Sequence, residues 1–163
     1  MALQEENDRL TSQLDGLLGG VLPGTEQLEQ GNDTVDLTIR YIDEMGRSVK
    51  FCTQSLSWDE IIKLAGPSIV LGYSQQIIEK EIAQHIAEIG QRTGSIGKIS
   101  ILDPPHLVAE SQVTVITQLI ALGLIEASFR QEEYGRQHIW KLTAYGERYV
   151  MKFSARRRPD YED

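Results

Sequence analysis

The sequence predicts an α+β fold, and three stretches carry that reading. Residues 34–42 alternate Val35, Leu37, Ile39 and Tyr41 with Thr34, Asp36, Thr38 and Arg40, the period-two spacing of a strand buried on one face. Residues 74–89 set Ile78, Ile82, Ile86 and Ile89 along one helix face, with Ile77 flanking and Glu79, Lys80, Gln84 and Glu88 facing out. Residues 107–149 join an apolar helical run, closed at Gly123, to two alternating runs about a polar turn and then to a second short helix.

A chain of 163 residues fits one globular domain with an appendage and is long enough to bury a core. Its net charge of −8 is unevenly spread. Residues 1–33 hold seven acids against one base, a balance of −6, which leaves seventeen acids against fifteen bases, or −2, in residues 34–163. Without its acidic leader the body is near neutral, whereas a chain that neutralises phosphates normally concentrates basic charge on one face. The single cysteine, Cys52, cannot form an internal disulfide, so an oxidised secreted scaffold is not expected. The N-terminus carries no basic-then-apolar signal pattern, and no apolar run reaches membrane-spanning length. The expected setting is cytoplasmic, without a membrane partner.

Residues 1–18 read as a short amphipathic, coiled-coil-like helix. With Leu3, Leu10 and Leu17 at heptad position d, Asn7 and Leu14 fall at position a, where a buried Asn fixes register in two-stranded coils. Leu3, Asn7, Leu10, Leu14 and Leu17 are therefore the candidate self-association residues. Two heptads are fewer than a coiled coil ordinarily needs, so a charged leader is an equal reading, and the downstream end of a longer coil is a third. Residues 19–33, with four glycines and a proline, read as a linker.

Residues 34–73 form the first unit of the body. After the strand at 34–42 comes a turn, Asp43-Glu44-Met45-Gly46-Arg47, and a partner strand at 48–55 that carries Val49 and Phe51. Ser57 and Glu60 make a capping box for a helix through Ala65, with Trp58, Ile61 and Ile62 on its inner face and Gly66-Pro67 as its stop. Cys52 reads as a packed, inert thiol. Residues 74–153 form the second unit. Its first helix leads to a loop at 90–98, a short buried strand at Ile99–Leu102, and a short helix started by Asp103-Pro104-Pro105 and reaching Ala109. Ser111 caps the next helix, whose expected apolar face is Val113, Ile116, Leu119 and Ile120. Ile125, Ala127 and Phe129 alternate with Glu126, Ser128 and Arg130 on the outgoing strand, and Trp140 and Leu142 are expected inward on the return, about the turn at 132–136. Thr143 to Phe153 closes the unit as a helix with Tyr145, Tyr149 and Phe153 at four-residue spacing, and 154–163 is a charged tail.

From residue 74 this order is that of a winged helix-turn-helix, preceded here by a β-hairpin and a helix. Residues 111–122 are the expected recognition helix and 132–136 the wing tip. The strings Leu119-Ile120-Ala121-Leu122-Gly123-Leu124-Ile125 and Trp140-Lys141-Leu142-Thr143-Ala144-Tyr145-Gly146 resemble those at which winged-helix regulators turn from recognition helix to wing and back. Four longer strings, LQEENDRL at 3–10, GTEQLEQGNDTVDL at 24–37, LSWDEIIKLAGP at 56–67 and QLIALGLIE at 118–126, extend the likeness over most of the chain. In them it resembles the C-terminal half of bacterial multidomain proteins of uncharacterised function. The N-terminal half of those proteins is an open α/β domain related to signalling or defence modules. The resemblance implies an accessory module that the coil joins to that other half, with no catalytic residue on this piece.

Were the winged helix to read DNA, its candidate contacts are Gln112, Thr114, Thr117 and Gln118 on the helix and Arg130, Arg136, His138 and Lys141 on the wing. Gln can address adenine and Thr a thymine methyl. Phosphate anchoring is what the segment lacks: no Lys or Arg lies between Asp103 and Phe129. Glu132 and Glu133 offset the wing tip, and Arg156-Arg157-Arg158 is followed by Asp160, Glu162 and Asp163. Protein is therefore the expected partner, either a separate chain or a second copy through the N-terminal helix, and nucleic acid is the alternative. No enzyme is expected, because His85, His106 and His138 lie on three elements and no nucleophile has a base at motif spacing. The loop GQRTGSIGK fails the Walker pattern at Arg92 and Ile99, and no metal-ligand spacing is present, so neither cofactor nor metal is expected. The reading that results is a non-catalytic winged-helix accessory module for protein contact or regulation, with a DNA-binding regulator as the alternative.

Overall fold

A computed structural model of the chain describes residues 3–6, 9–10, 24–72 and 75–154. Over them the protein is α+β. Strands β1 (Thr34–Ile42) and β2 (Val49–Ser57) lead to helices α1 (Trp58–Val70) and α2 (Gln75–Thr93). Strand β3 (His106–Leu107), helix α3 (Ala109–Ala121), strands β4 (Ile125–Glu132) and β5 (Gly135–Leu142), and helix α4 (Ala144–Ser154) follow. An antiparallel sheet runs in the order β2-β1-β3, and β4 pairs with β5 as a separate antiparallel hairpin. A single hydrophobic core draws on residues from Leu37 to Val150, so segments 34–73 and 74–153 are packed together.

The alternation in β1 buries Leu37 and Ile39 completely and Tyr41 almost so. On β2, Cys52 is packed as expected and Leu56 is buried with it, while Val49 and Phe51 are exposed. The hairpin loop sets this. It pairs Ile39 with Cys52 and Val35 with Leu56, and directly opposed residues share a face. Within the loop, Asp43 accepts from the Ser48 hydroxyl at 2.8 Å and the Arg47 N–H at 3.1 Å, and these two bonds hold its carboxyl below the ordinary range. Cys52 is a free thiol, packed where a Cβ on Gly90 would come within 3.3 Å of its sulfur. That approach, with Ile96 nearer still at 3.0 Å, explains a glycine inside α2, which continues past the expected end at Ile89 to Thr93.

The capping box of α1 is present: the Glu60 N–H donates to Ser57 Oγ at 3.1 Å, and the Ser57 N–H donates to Glu60 Oε2 at 2.7 Å. The expected stop at Gly66-Pro67 is not there, and the helix runs on to Val70. Pro67 sits in the last turn, where its missing N–H forfeits one bond, to the carbonyl of Lys63. Gly66 admits α4, since a Cβ there would meet the Val150 methyls at 2.7 and 2.8 Å. Gly72, at φ +72, is where the backbone turns away.

Between α2 and α3 the sequence misleads most. Ile101 and Leu102 are 98% and 95% exposed rather than buried in a strand, and residue 99 contributes one bridge, to Asp43. Asp103-Pro104-Pro105 starts no helix. A proline disfavours the helical conformation in the residue before it, and the chain bends at 101–103 and then enters β3, which pairs with β1 through Ile39 and Leu107. α3 then begins at Ala109, earlier than expected, with Val108 at its N-cap. Ser111 does not cap it; buried in the first turn, its Oγ accepts the Thr38 N–H of β1 at 2.9 Å. The inward residues of α3 are Val115 and Leu119, followed by Leu122, whereas Val113 and Ile120 are exposed. Its end is a Schellman motif: Leu124 N–H to Leu119 O at 3.0 Å and Gly123 N–H to Ile120 O at 2.9 Å, with Gly123 at φ +69.

Residues 24–33, expected as linker, are strapped to the body. Gln118 Nε2 donates to Glu29 O at 2.6 Å, and the Asp59 and Trp58 N–H groups donate to Gly31 O and Asp33 O. At the N-terminus residues 3–6 and 9–10 are helical, with Leu3 and Leu10 exposed. Asn7, Leu14 and Leu17, and the basic run at 156–158, lie outside the described residues.

Tyr149 of α4 donates to Asp59 Oδ1 of α1 at 2.6 Å. Burial first, and then the Asp59 carboxylate, raise the phenol's pKa above its usual 10.0. The unfolded chain releases this proton near pH ~10 while the folded chain keeps it, so the contribution is whole below that pH and is lost as pH rises through the folded value. Urea unfolding at about pH 8 and about pH 10.5 should therefore show wild type losing more stability than Tyr149→Phe. Equal alkaline losses would remove Tyr149 from this account.

Candidate interaction surfaces

The outward face of α3 follows from its inward one. With Val115 and Leu119 in the core, Glu110, Val113, Thr117, Ile120 and Ala121 turn to solvent, and Val113 is 65% exposed. The polar side chains expected to read bases are mostly tied into the fold. Gln112 Nε2 donates to Leu107 O at 2.9 Å, Gln118 Nε2 to Glu29 O, and Thr114 Oγ1 to Glu110 O at 2.9 Å. Bidentate recognition of adenine needs a glutamine amide with its oxygen and an N–H aimed together at the base edge, and these two amides are aimed at Leu107 O and Glu29 O. Thr117 is exposed at the middle of the face.

The β4–β5 hairpin divides the four expected bases. Alternation along the strands puts Arg136 and His138 on one face with Phe129, and Arg130 and Lys141 on the other. His138 lies edge-on to Phe129 at 5.5 Å and to Trp140 at 4.8 Å, and the Arg136 guanidinium is 5.8 Å from the Phe129 ring centre. Arg130 Nη2 donates to Gly72 O at 2.8 Å, and Trp140 Nε1 donates to Gln75 Oε1 at 2.9 Å. Trp140 and Leu142 are buried as expected, but Ala127 and Phe129 are exposed, because the hairpin projects beyond the core after Ile125.

A groove of about 620 Å³ lies between the end of α1 and α4, walled by Pro67, Val70, Leu71, Lys141, Val150 and Met151. Val70, Leu71 and Met151 are exposed apolar side chains. Ending α1 at Ala65 hides this groove from a sequence reading. The four-residue series Ile61, Ala65, Ile69, continuing beyond Pro67, is the signal that reveals it.

Among the described residues, no group of three or more His, Cys, Asp or Glu side chains could hold a metal ion, and no helix is long and apolar enough to cross a membrane. No family model matches the chain, and neither a curated protein nor a solved structure matches it.

Proposed function

We propose that the chain is a non-catalytic accessory module of a larger bacterial cytoplasmic protein, and that its helix–hairpin half is a winged helix used to contact protein rather than DNA. One observation carries this reading. The solvent face of α3 offers Val113, Thr117, Ile120 and Ala121, with Glu110 at its start and no basic group. Non-specific affinity for duplex DNA comes from several phosphate contacts, each worth about 0.9 in the salt exponent, and this face supplies none. Val113 and Ile120 stand two helical turns apart on one face, a spacing at which a helix meets a complementary apolar surface. The apolar α1–α4 groove adds a second surface of the same chemistry.

Anisotropy titration with random duplex DNA at low salt tests the proposal, and no salt-sensitive binding in the micromolar range is expected. Micromolar binding that falls steeply with added salt would return the protein to the DNA-binding class. The positive arm compares wild type with Val113→Glu/Ile120→Glu as bait. A protein retained by the first and lost by the second, at unchanged circular dichroism, supports the contact face; equal retention by both sinks it.

A further inference from the structure

We propose that the outer edge of β2 pairs with the same edge of a second copy, joining two sheets antiparallel about a two-fold axis at Thr53. This surface is distinct from the α3 face. β2 is a terminal strand of its sheet, nine residues long, and its pairing with β1 runs without a bulge from Thr34↔Ser57 to Ile42↔Val49. It has no proline, and Lys50 is its one charge. Edge strands are ordinarily blunted by charges, proline, bulges or a cover.

The orientation of the free backbone groups follows from the ladder. The Asp43 N–H donates to Ser48 O across the hairpin, so by alternation Ile39↔Cys52 and Leu37↔Gln54 are the hydrogen-bonded pairs. The N–H and C=O groups of Val49, Phe51, Thr53 and Ser55 then point away from β1. Thr38, opposite Thr53, confirms the parity, because its carbonyl and N–H point outward to Val108 and Ser111. Among the described residues no backbone group bonds to that outward edge between Val49 and Ser55. Phe51, 62% exposed, stands beside it.

The charges on the exposed sheet face select the occupant and the register. Arg40 lies opposite Phe51, and Asp36 lies opposite Ser55. With the axis at Thr53, the two rows that flank the central one read Arg40, Phe51, the partner's Ser55, the partner's Asp36, so opposite charges end both. An axis at Phe51 would end its central row with two arginines, and one at Ser55 with two aspartates. The Thr53 register also sets Lys50 against the partner's Leu56 and away from its own counterpart. Opposite charges attract and like charges repel across the two intervening strands, weakly at that range and most at low salt, so the pattern fits a second copy in this one register.

Sedimentation equilibrium of the full chain is expected to give twice its 18.3 kDa mass. Thr53→Lys and Thr53→Glu should each weaken self-association by at least about tenfold, and an equimolar mixture of the two should restore it. Thr53→Cys should form a disulfide-linked dimer on oxidation, because a hydrogen-bonded pair holds its Cα atoms about 5.5 Å apart. Phe51→Cys, which faces Ser55, should not. A wild-type monomer, or a dimer that persists in both charge variants, overturns the proposal, as does crosslinking of Phe51→Cys in preference to Thr53→Cys.

Discussion

Gly146→Ala is expected to destabilise the protein by about 3 kcal/mol, toward the upper end for overpacking, because the clash is with backbone. A Cβ at this position would overlap the carbonyl oxygen of Leu124 and lie 2.9 Å from its carbon. Neither side can retreat cheaply. Leu124 O accepts the Thr143 N–H at 3.0 Å, and Leu124 N–H closes the end of α3. Thr143 Oγ1 donates to Gly123 O at 2.5 Å and accepts the Gly146 N–H at 2.9 Å, capping α4. The end of α3, the base of the hairpin and the start of α4 thus meet at one joint. Gly66→Ala offers a contrast, since its clash is with the methyls of Val150. Adding Val150→Ala to Gly66→Ala should recover much of that loss, whereas trimming the Leu124 side chain should do little for Gly146→Ala. Gly97→Ala, with open space around it, is the neutral control. The reading is a urea unfolding midpoint at constant slope. A Gly146→Ala loss below about 1 kcal/mol would mean that the joint yields, contrary to this account.

This joint also shows what the sequence makes legible. The string ending Leu122-Gly123-Leu124 and the string Leu142-Thr143-Ala144-Tyr145-Gly146 are recognisable because the backbone constrains them at particular residues. Gly123 makes a left-handed turn, Thr143 caps a helix, and Gly146 permits a close approach. The alternation of β1 and the isoleucine stripe of α2 are legible for a similar reason, since periodicity records which face is wet. Failures came where periodicity was short or where local chemistry met tertiary context. Which face of β2 is buried stays open until the hairpin loop fixes its pairing. Gly66-Pro67 has the composition of a stop, yet α4 packing makes it a contact. Asp103-Pro104-Pro105 has the composition of a start, yet β1 offers the following residues a ladder instead. The interaction surfaces were least legible of all. Gln112 and Gln118 look like free readers of a groove, and only the fold brings Leu107 O and Glu29 O to them.

Trp58→Ala is expected to cost about 3–5 kcal/mol, the usual range for deleting a buried aromatic side chain. Trp58 is 1% exposed, opens α1, and its N–H bonds to Asp33 O, fixing the strap to the helix. Trp58→Phe should cost far less, because two effects oppose. The smaller ring leaves a cavity, but it also removes the indole N–H, which is buried without an acceptor among the described residues. An unmade bond of that kind costs about 1–3 kcal/mol. Trp140 supplies the decisive comparison. Its Nε1 donates to Gln75 Oε1 at 2.9 Å, so Trp140→Phe leaves a cavity and also gives up a made bond, with no relief. Trp140 is 7% exposed, so burial alone ranks Trp58→Phe as the worse substitution, whereas hydrogen bonding ranks Trp140→Phe as the worse. The chain has two tryptophans, and each variant retains one as its own fluorescence reporter. A larger loss in Trp58→Phe than in Trp140→Phe would show that packing volume, not the unpaired N–H, sets the cost at the head of α1.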